Sequence, residues 1–135
     1  MNDNQYAQLV AALHEHAAGI TADVAAVDLI ATHRVWLTRP DFGPFIQPGH
    51  CHPTAAPMAL IRWRAAVTAL GQRRLPCSSS EADILRIAAS LGAGVPIRLR
   101  DVLGTLDHRN IALITKAIAL ANDTWPINQG THNDR

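Results

Sequence analysis

The sequence predicts an all-α fold, a compact bundle of about five helices, and three observations carry that prediction. Hydrophobic residues make up 48% of the 135-residue chain but aromatics only 4%, so a core has to be assembled mainly from Ala, Leu, Ile and Val. Such side chains suit close helix–helix packing, whereas strands favour aromatic and β-branched residues. Apolar residues also recur at 3.6-residue spacing in successive segments. Finally, Ser78-Ser79-Ser80-Glu81 has the spacing of a capping box, in which the serine accepts from the backbone of the glutamate and the glutamate reaches back.

Taken in order, a first helix is expected from Asp3 to Ala18, with Tyr6, Leu9, Val10, Leu13 and Ala17 on one face and Gly19 as its stop. A second starts at Thr21 as N-cap, carries Val24, Val27, Ile30 and Ala31 on one face, and ends before Pro40, which disfavours helical geometry in the residue preceding it. Residues 39–53 (RPDFGPFIQPGHCHP) hold four prolines and two glycines and are expected to form a loop without regular structure. The third helix is expected over 56–72, with Pro57 in the first turn and Leu60, Trp63, Val67 and Leu70 facing inward. The fourth starts at the Ser78 box, continues through Ile84, Leu85, Ala88 and Leu91, and stops at Gly92 and Gly94. A short helix over 99–106 leads to Asp107, an N-cap for a last helix carrying Ile111, Ile114, Ala117, Ile118 and Ala121. Residues 1–121 thus read as a single domain, and the polar segment 122–135 as a frayed tail.

Bulk composition narrows the class further. The formal net charge is +1, unevenly spread: two arginines stand against five acids up to Gly49, and nine basic residues against four acids from His50 to Ala121. No stretch approaches the roughly 20 apolar residues of a membrane span. The Met-Asn-Asp-Asn-Gln start lacks the basic and apolar regions of a signal peptide, so a cytoplasmic location is expected. Cys51 and Cys77 are then expected to be free thiols.

Catalytic signatures are missing from the sequence. There is no Gly-x-Ser-x-Gly elbow, no P-loop and no GxGxxG, and Ser78 to Ser80 are accounted for by capping. The reading is therefore non-enzymatic, without a cofactor. His50-Cys51-His52, with Cys77 further on, offers zinc-type donors, and His50, His52 and Cys77 are the candidate ligands. The spacing is poor, because adjacent residues in an extended loop point opposite ways. His14 and His16, two apart on a helix, do not share a face.

Two further constellations point to partners. The order of the last three helices resembles a helix-turn-helix, with residues 109–121 in the recognition position. Arg98, Arg100, Arg109, Asn110, Thr115 and Lys116 are the candidate DNA contacts, since these side chains hydrogen-bond phosphates and base edges. Two full charges on the reading helix are few for such a role. Separately, Trp36, Phe42, Phe45, Ile46 and Trp125 fall in loops or near helix ends, where aromatics anchor protein partners or cap a core.

Residues 60–123 resemble small helical hypothetical proteins of high-GC bacteria. The resemblance rests on the Trp63 helix, Leu75-Pro76-Cys77-Ser78, the run RIAASL (86–91) and the run LRDVLGTLDHRN (99–110). It implies a bacterial source and a helical fold, and no site transfers with it. The leading expectation is a protein-interaction or regulatory module that forms a homo-oligomer or binds another protein through Trp36, Phe42, Phe45 and Ile46. A DNA-binding protein is the alternative, and a metal-dependent protein using the 50–52 loop is the third.

Overall fold

The computed structural model describes residues 1–49 and 55–123. Its architecture is all-α apart from one short strand pair: 68% of the described residues are helical, 3₁₀ turns included, with α1 (Asp3–Ala17), α2 (Thr21–His33), α3 (Trp63–Gly71), α4 (Ser79–Ala93), α5 (Leu99–Leu103) and α6 (His108–Ala121). No described helix is long and apolar enough to cross a membrane.

Local chemistry sets several boundaries. The start of α1 is a capping box, in which the Gln5 backbone N–H donates to Asn2 Oδ1 (2.8 Å) and the Asn2 N–H to Gln5 Oε1 (2.9 Å). Ser78 and Glu81 make the same reciprocal pair at the start of α4, at 3.2 and 3.0 Å. Asp107 caps α6 by accepting from the Asn110 N–H at 2.9 Å. Gly94 ends α4 in the left-handed region, at φ +68°, which glycine enters without a Cβ clash.

The core is organised around α2, which buries Ala25, Ala26, Val27, Leu29, Ile30 and His33 and so is apolar over most of its circumference. It packs chiefly on α4 and α6, with α1 on a further side. α2 and α6 run antiparallel. At one end the Thr21 hydroxyl donates to the Ala121 carbonyl (2.7 Å), and further along Lys116 Nζ lies 3.4 Å from the Asp28 carboxylate.

Several expectations are corrected. α2 does not continue toward Pro40; it stops at His33, and Arg34 turns into the left-handed region at φ 71°. That conformation costs a non-glycine residue on the order of 1 kcal/mol. It is offset by the Arg34 guanidinium lying 4.1 Å from the Tyr6 ring centroid and 2.9 Å from Asp3 Oδ1. Thr21 is also not the N-cap; Ile20 holds that place without a side-chain bond. The turn at Arg34 carries the chain into 3₁₀ helices at Trp36–Thr38 and Pro40–Phe45, so the proline-rich segment is not irregular throughout.

Those 3₁₀ turns put Trp36 and Phe42 in the interior, each 0% exposed, with ring centroids 5.5 Å apart. The indole N–H of Trp36 donates to the Glu81 carbonyl at 3.0 Å. Trp36 and Phe42 therefore offer no surface to a partner, while Phe45 and Ile46 are half-buried and pack against the core.

A further correction concerns residues 56–62. The expected helix does not start at Pro57. Instead β2 (Ala59–Ile61) pairs antiparallel with β1 (Ile46–Pro48), Ile46 opposite Ile61. The Gly49 N–H donates to the Met58 carbonyl (3.0 Å) and the Arg62 N–H to the Phe45 carbonyl (2.7 Å), extending the ladder at both ends. Ala59 and Ile61 point inward with Leu60 between them, the period of a strand, and α3 begins only at Trp63.

Candidate functional site

The expected DNA contacts do not form one surface. Arg98 at the start of α5, Arg100 within it and Arg109 in the first turn of α6 are exposed. Asn110 faces inward at 6% exposure and cannot reach a base edge. Lys116 is half-buried and pairs with Asp28, and the exposed Thr115 hydroxyl donates to the Ile111 carbonyl of its own helix at 2.8 Å. α6 lies along α2 over its length rather than standing out from α5 as a reading helix does.

The expected metal ligands His50 and His52, with Cys51, lie outside the described residues, as does Trp125. Cys77 follows the C-terminus of α3 and is half-buried. Burial pushes the Cys77 thiol up, Glu81 pushes it further, and Arg39 and Arg86 offset part of this, so the protonated form dominates rather than the ligating thiolate. Among the described residues no three His, Cys, Asp or Glu side chains are grouped as metal ligands.

The surface that stands out was not read as a site from the sequence. α6 buries Asn110, Ile114 and Ala117, and the opposite arc of the helix carries His108, Ala112 and Thr115, all exposed. Ile111 and Ile118 flank that arc on one side, at 37% and 56% exposure. They lie seven residues apart, about 10.5 Å along the axis. Arg109 and Lys116 flank it on the other side, so between the two edges the outer face carries no Lys, Arg, Asp or Glu. The signal for this surface was present in the sequence: Ile111, Leu113, Ile114, Ala117, Ile118, Leu120 and Ala121 span too wide an arc for one buried stripe.

No protein-family model, curated protein or solved structure matches this chain.

One titratable group is held inside. His33, the last residue of α2, is 5% exposed and its Nδ1 is buried without a hydrogen-bond partner among the described residues; the same holds for Asn110 Oδ1. Burial lowers the His33 pKa, Arg109 lowers it further, and Glu81 and Asp107 counter in part. As pH falls below the ordinary histidine value of about 6.5, the unfolded chain takes up the proton before the folded one does. The His33 contribution to stability is therefore complete above that value and declines as pH falls toward the lowered folded pKa. In urea titrations from pH 7.5 down to 5.5, the wild-type midpoint should fall more than that of His33→Gln. Parallel declines in the two proteins would sink this assignment.

Proposed function

We propose that the chain is a non-enzymatic interaction module that pairs with a second copy of itself through the outer face of α6. The observation that carries this is the exposure of Ile118 and Ile111 beside a helical arc without Lys, Arg, Asp or Glu. Large apolar side chains that share one helix face favour burial against a partner, at about 25 cal/mol for each Å² removed from water.

A second copy is the occupant that suits this face. The pair Ile-Ala occurs at 111–112 and again at 118–119, so the strip repeats itself after seven residues. Turned end for end about a two-fold axis, Ile111 of one helix meets Ile118 of the other, and the same patch serves both subunits. Ala112 is small enough to let the helix axes approach to about 8–10 Å. Thr115, near the axis, already donates to Ile111 within its own helix, so covering it strands no donor. Antiparallel helices also set opposite macrodipole ends side by side.

Sedimentation or light scattering across micromolar concentrations tests the proposal. The wild type should be dimeric at the upper end, and Ile118→Glu and Ile111→Glu should be monomeric with unchanged helical spectra. A monomeric wild type, or a glutamate variant that still pairs, would refute it. The competing nucleic-acid reading rests on the exposed Arg98, Arg100 and Arg109. It requires duplex binding that weakens steeply with salt and is lost in Arg109→Ala.

A further inference from the structure

Two side-chain atoms among the described residues are buried and lack a hydrogen-bond partner: His33 Nδ1 at the end of α2 and Asn110 Oδ1 in the first turn of α6. Their residues are 5% and 6% exposed. A buried polar atom without a partner forfeits its hydration, so native proteins pair such atoms with protein or with ordered water. The other polar atoms of the same side chains, His33 Nε2 and Asn110 Nδ2, are open to solvent.

The antiparallel register of the two helices brings the buried atoms to one level. Two contacts fix that register: the Thr21 hydroxyl on the Ala121 carbonyl, and Lys116 Nζ 3.4 Å from the Asp28 carboxylate. At 1.5 Å per residue, His33 lies about 18 Å along α2 from the first contact and Asn110 about 16.5 Å along α6 from it. From the second contact the distances are about 7.5 and 9 Å. Asn110 shares the buried face of α6 with Ile114 and Ala117, and α2 is the chief neighbour of that helix. The charges that act on His33 agree with this placement, since Arg109 and Asp107 stand at the same start of α6 and Glu81 at the start of α4.

We propose that one internal water molecule bridges His33 Nδ1 and Asn110 Oδ1, and that this hydrated pair fixes the register of α6 on α2. Burial and Arg109 keep the imidazole neutral. With its proton on the solvent-facing Nε2, both inward atoms are acceptors and do not bond each other, whereas one water offers the two O–H donors that they need. Solvent at the outer ends of the same side chains gives that water its way in. The buried part of the contact is otherwise aliphatic and by itself tolerates sliding. A slip of one helical turn sets Asn110 against Leu29 in one direction and His33 against Ile114 in the other, each leaving a polar atom on hydrocarbon. Single buried polar residues specify register in coiled coils in this way. The pair lies on the inner face of α6, so this inference does not depend on pairing through the outer one.

Water–protein Overhauser spectroscopy of the full chain at pH 7.5 tests the bridge. Cross-peaks from water to the His33 ring and Asn110 side-chain protons should carry the sign of a long-lived contact, opposite to that of surface water, with chemical exchange separated in the rotating frame. The nitrogen resonance of His33 Nδ1 should be that of an unprotonated acceptor. Absence of the long-lived cross-peaks, or a proton on Nδ1, overturns the bridge, and neither measurement needs a variant to fold. Urea midpoints and amide spectra test the register. His33→Leu and Asn110→Leu should each lower the midpoint, and the two combined should recover part of the loss while the α6 amide signals broaden or double. Losses that simply add, or one sharp set of α6 signals in the double variant, overturn the role in register.

Discussion

Replacing Trp36 with alanine should cost about 3–5 kcal/mol of folding free energy, the range for emptying a fully buried aromatic site. The indole is 0% exposed, its N–H is bonded to the Glu81 carbonyl at 3.0 Å, and its ring packs against Phe42 at 5.5 Å between centroids. Arg39 closes the site from outside, its guanidinium 4.6 Å from the Trp36 ring centroid and held in place by the Asp41 carboxylate. Trp36→Ala leaves Phe42 without its aromatic neighbour, a pairing worth about 0.5–1.5 kcal/mol beyond area alone. Trp36→Phe keeps part of the packing and should lose distinctly less. Urea unfolding followed by circular dichroism measures both. A surface anchor for a partner would behave differently, since exposed substitutions usually change stability by no more than about 0.5 kcal/mol. An effect that small in Trp36→Ala would contradict the buried placement.

The second large effect is at Gly92. A Cβ on this residue would fall under 3.0 Å from three atoms of the Trp63 indole. Within a helix, alanine is intrinsically favoured over glycine by about 1 kcal/mol, so propensity alone predicts stabilisation. Overpacking works against it, typically costing about 1–3 kcal/mol when a buried ring has to be displaced. Trp63 is 9% exposed and stands at the N-terminus of α3, so its ring cannot swing away without opening the contact between α3 and α4. Gly92→Ala should therefore be destabilised despite its better helix former. Trp63→Phe shortens the ring, so the Gly92→Ala penalty should shrink when measured in that background. Additive losses in the double variant would show that the indole is not the obstacle.

The parts of this fold that were legible in the sequence are those decided within a few residues. Ser78 and Glu81 satisfy each other across one helical turn, and Asp107 reaches a backbone N–H three residues on, so both helix starts could be read from spacing alone. What escaped depended on distant partners. Met58-Ala59-Leu60-Ile61 is as compatible with a helix as with a strand, and it is extended here because Ile46–Pro48 lies alongside to complete its hydrogen bonds. The early end of α2 has no local signal either, for Arg34 is a good helix former; the turn serves the burial of Trp36 and Phe42 under α4. The candidate surface was misread for a related reason. Periodicity identified Ile111 and Ile118 as apolar, but which apolar residues of α6 turn inward depends on where α2 lies against it.

The central place of α2 bears on how the molecule comes to be made. This helix leaves the ribosome well before its principal neighbours, α4 and α6, and the bond between Thr21 and Ala121 spans 100 positions of sequence. Until those later segments emerge, the nascent chain carries an aliphatic rod that only α1 covers on one side. Contacts between segments so remote in sequence form slowly, and unburied apolar segments in the interval invite aggregation. Productive folding of this chain thus waits on α4 and α6, and the exposed rod is the feature that a chaperone would recognise in the meantime.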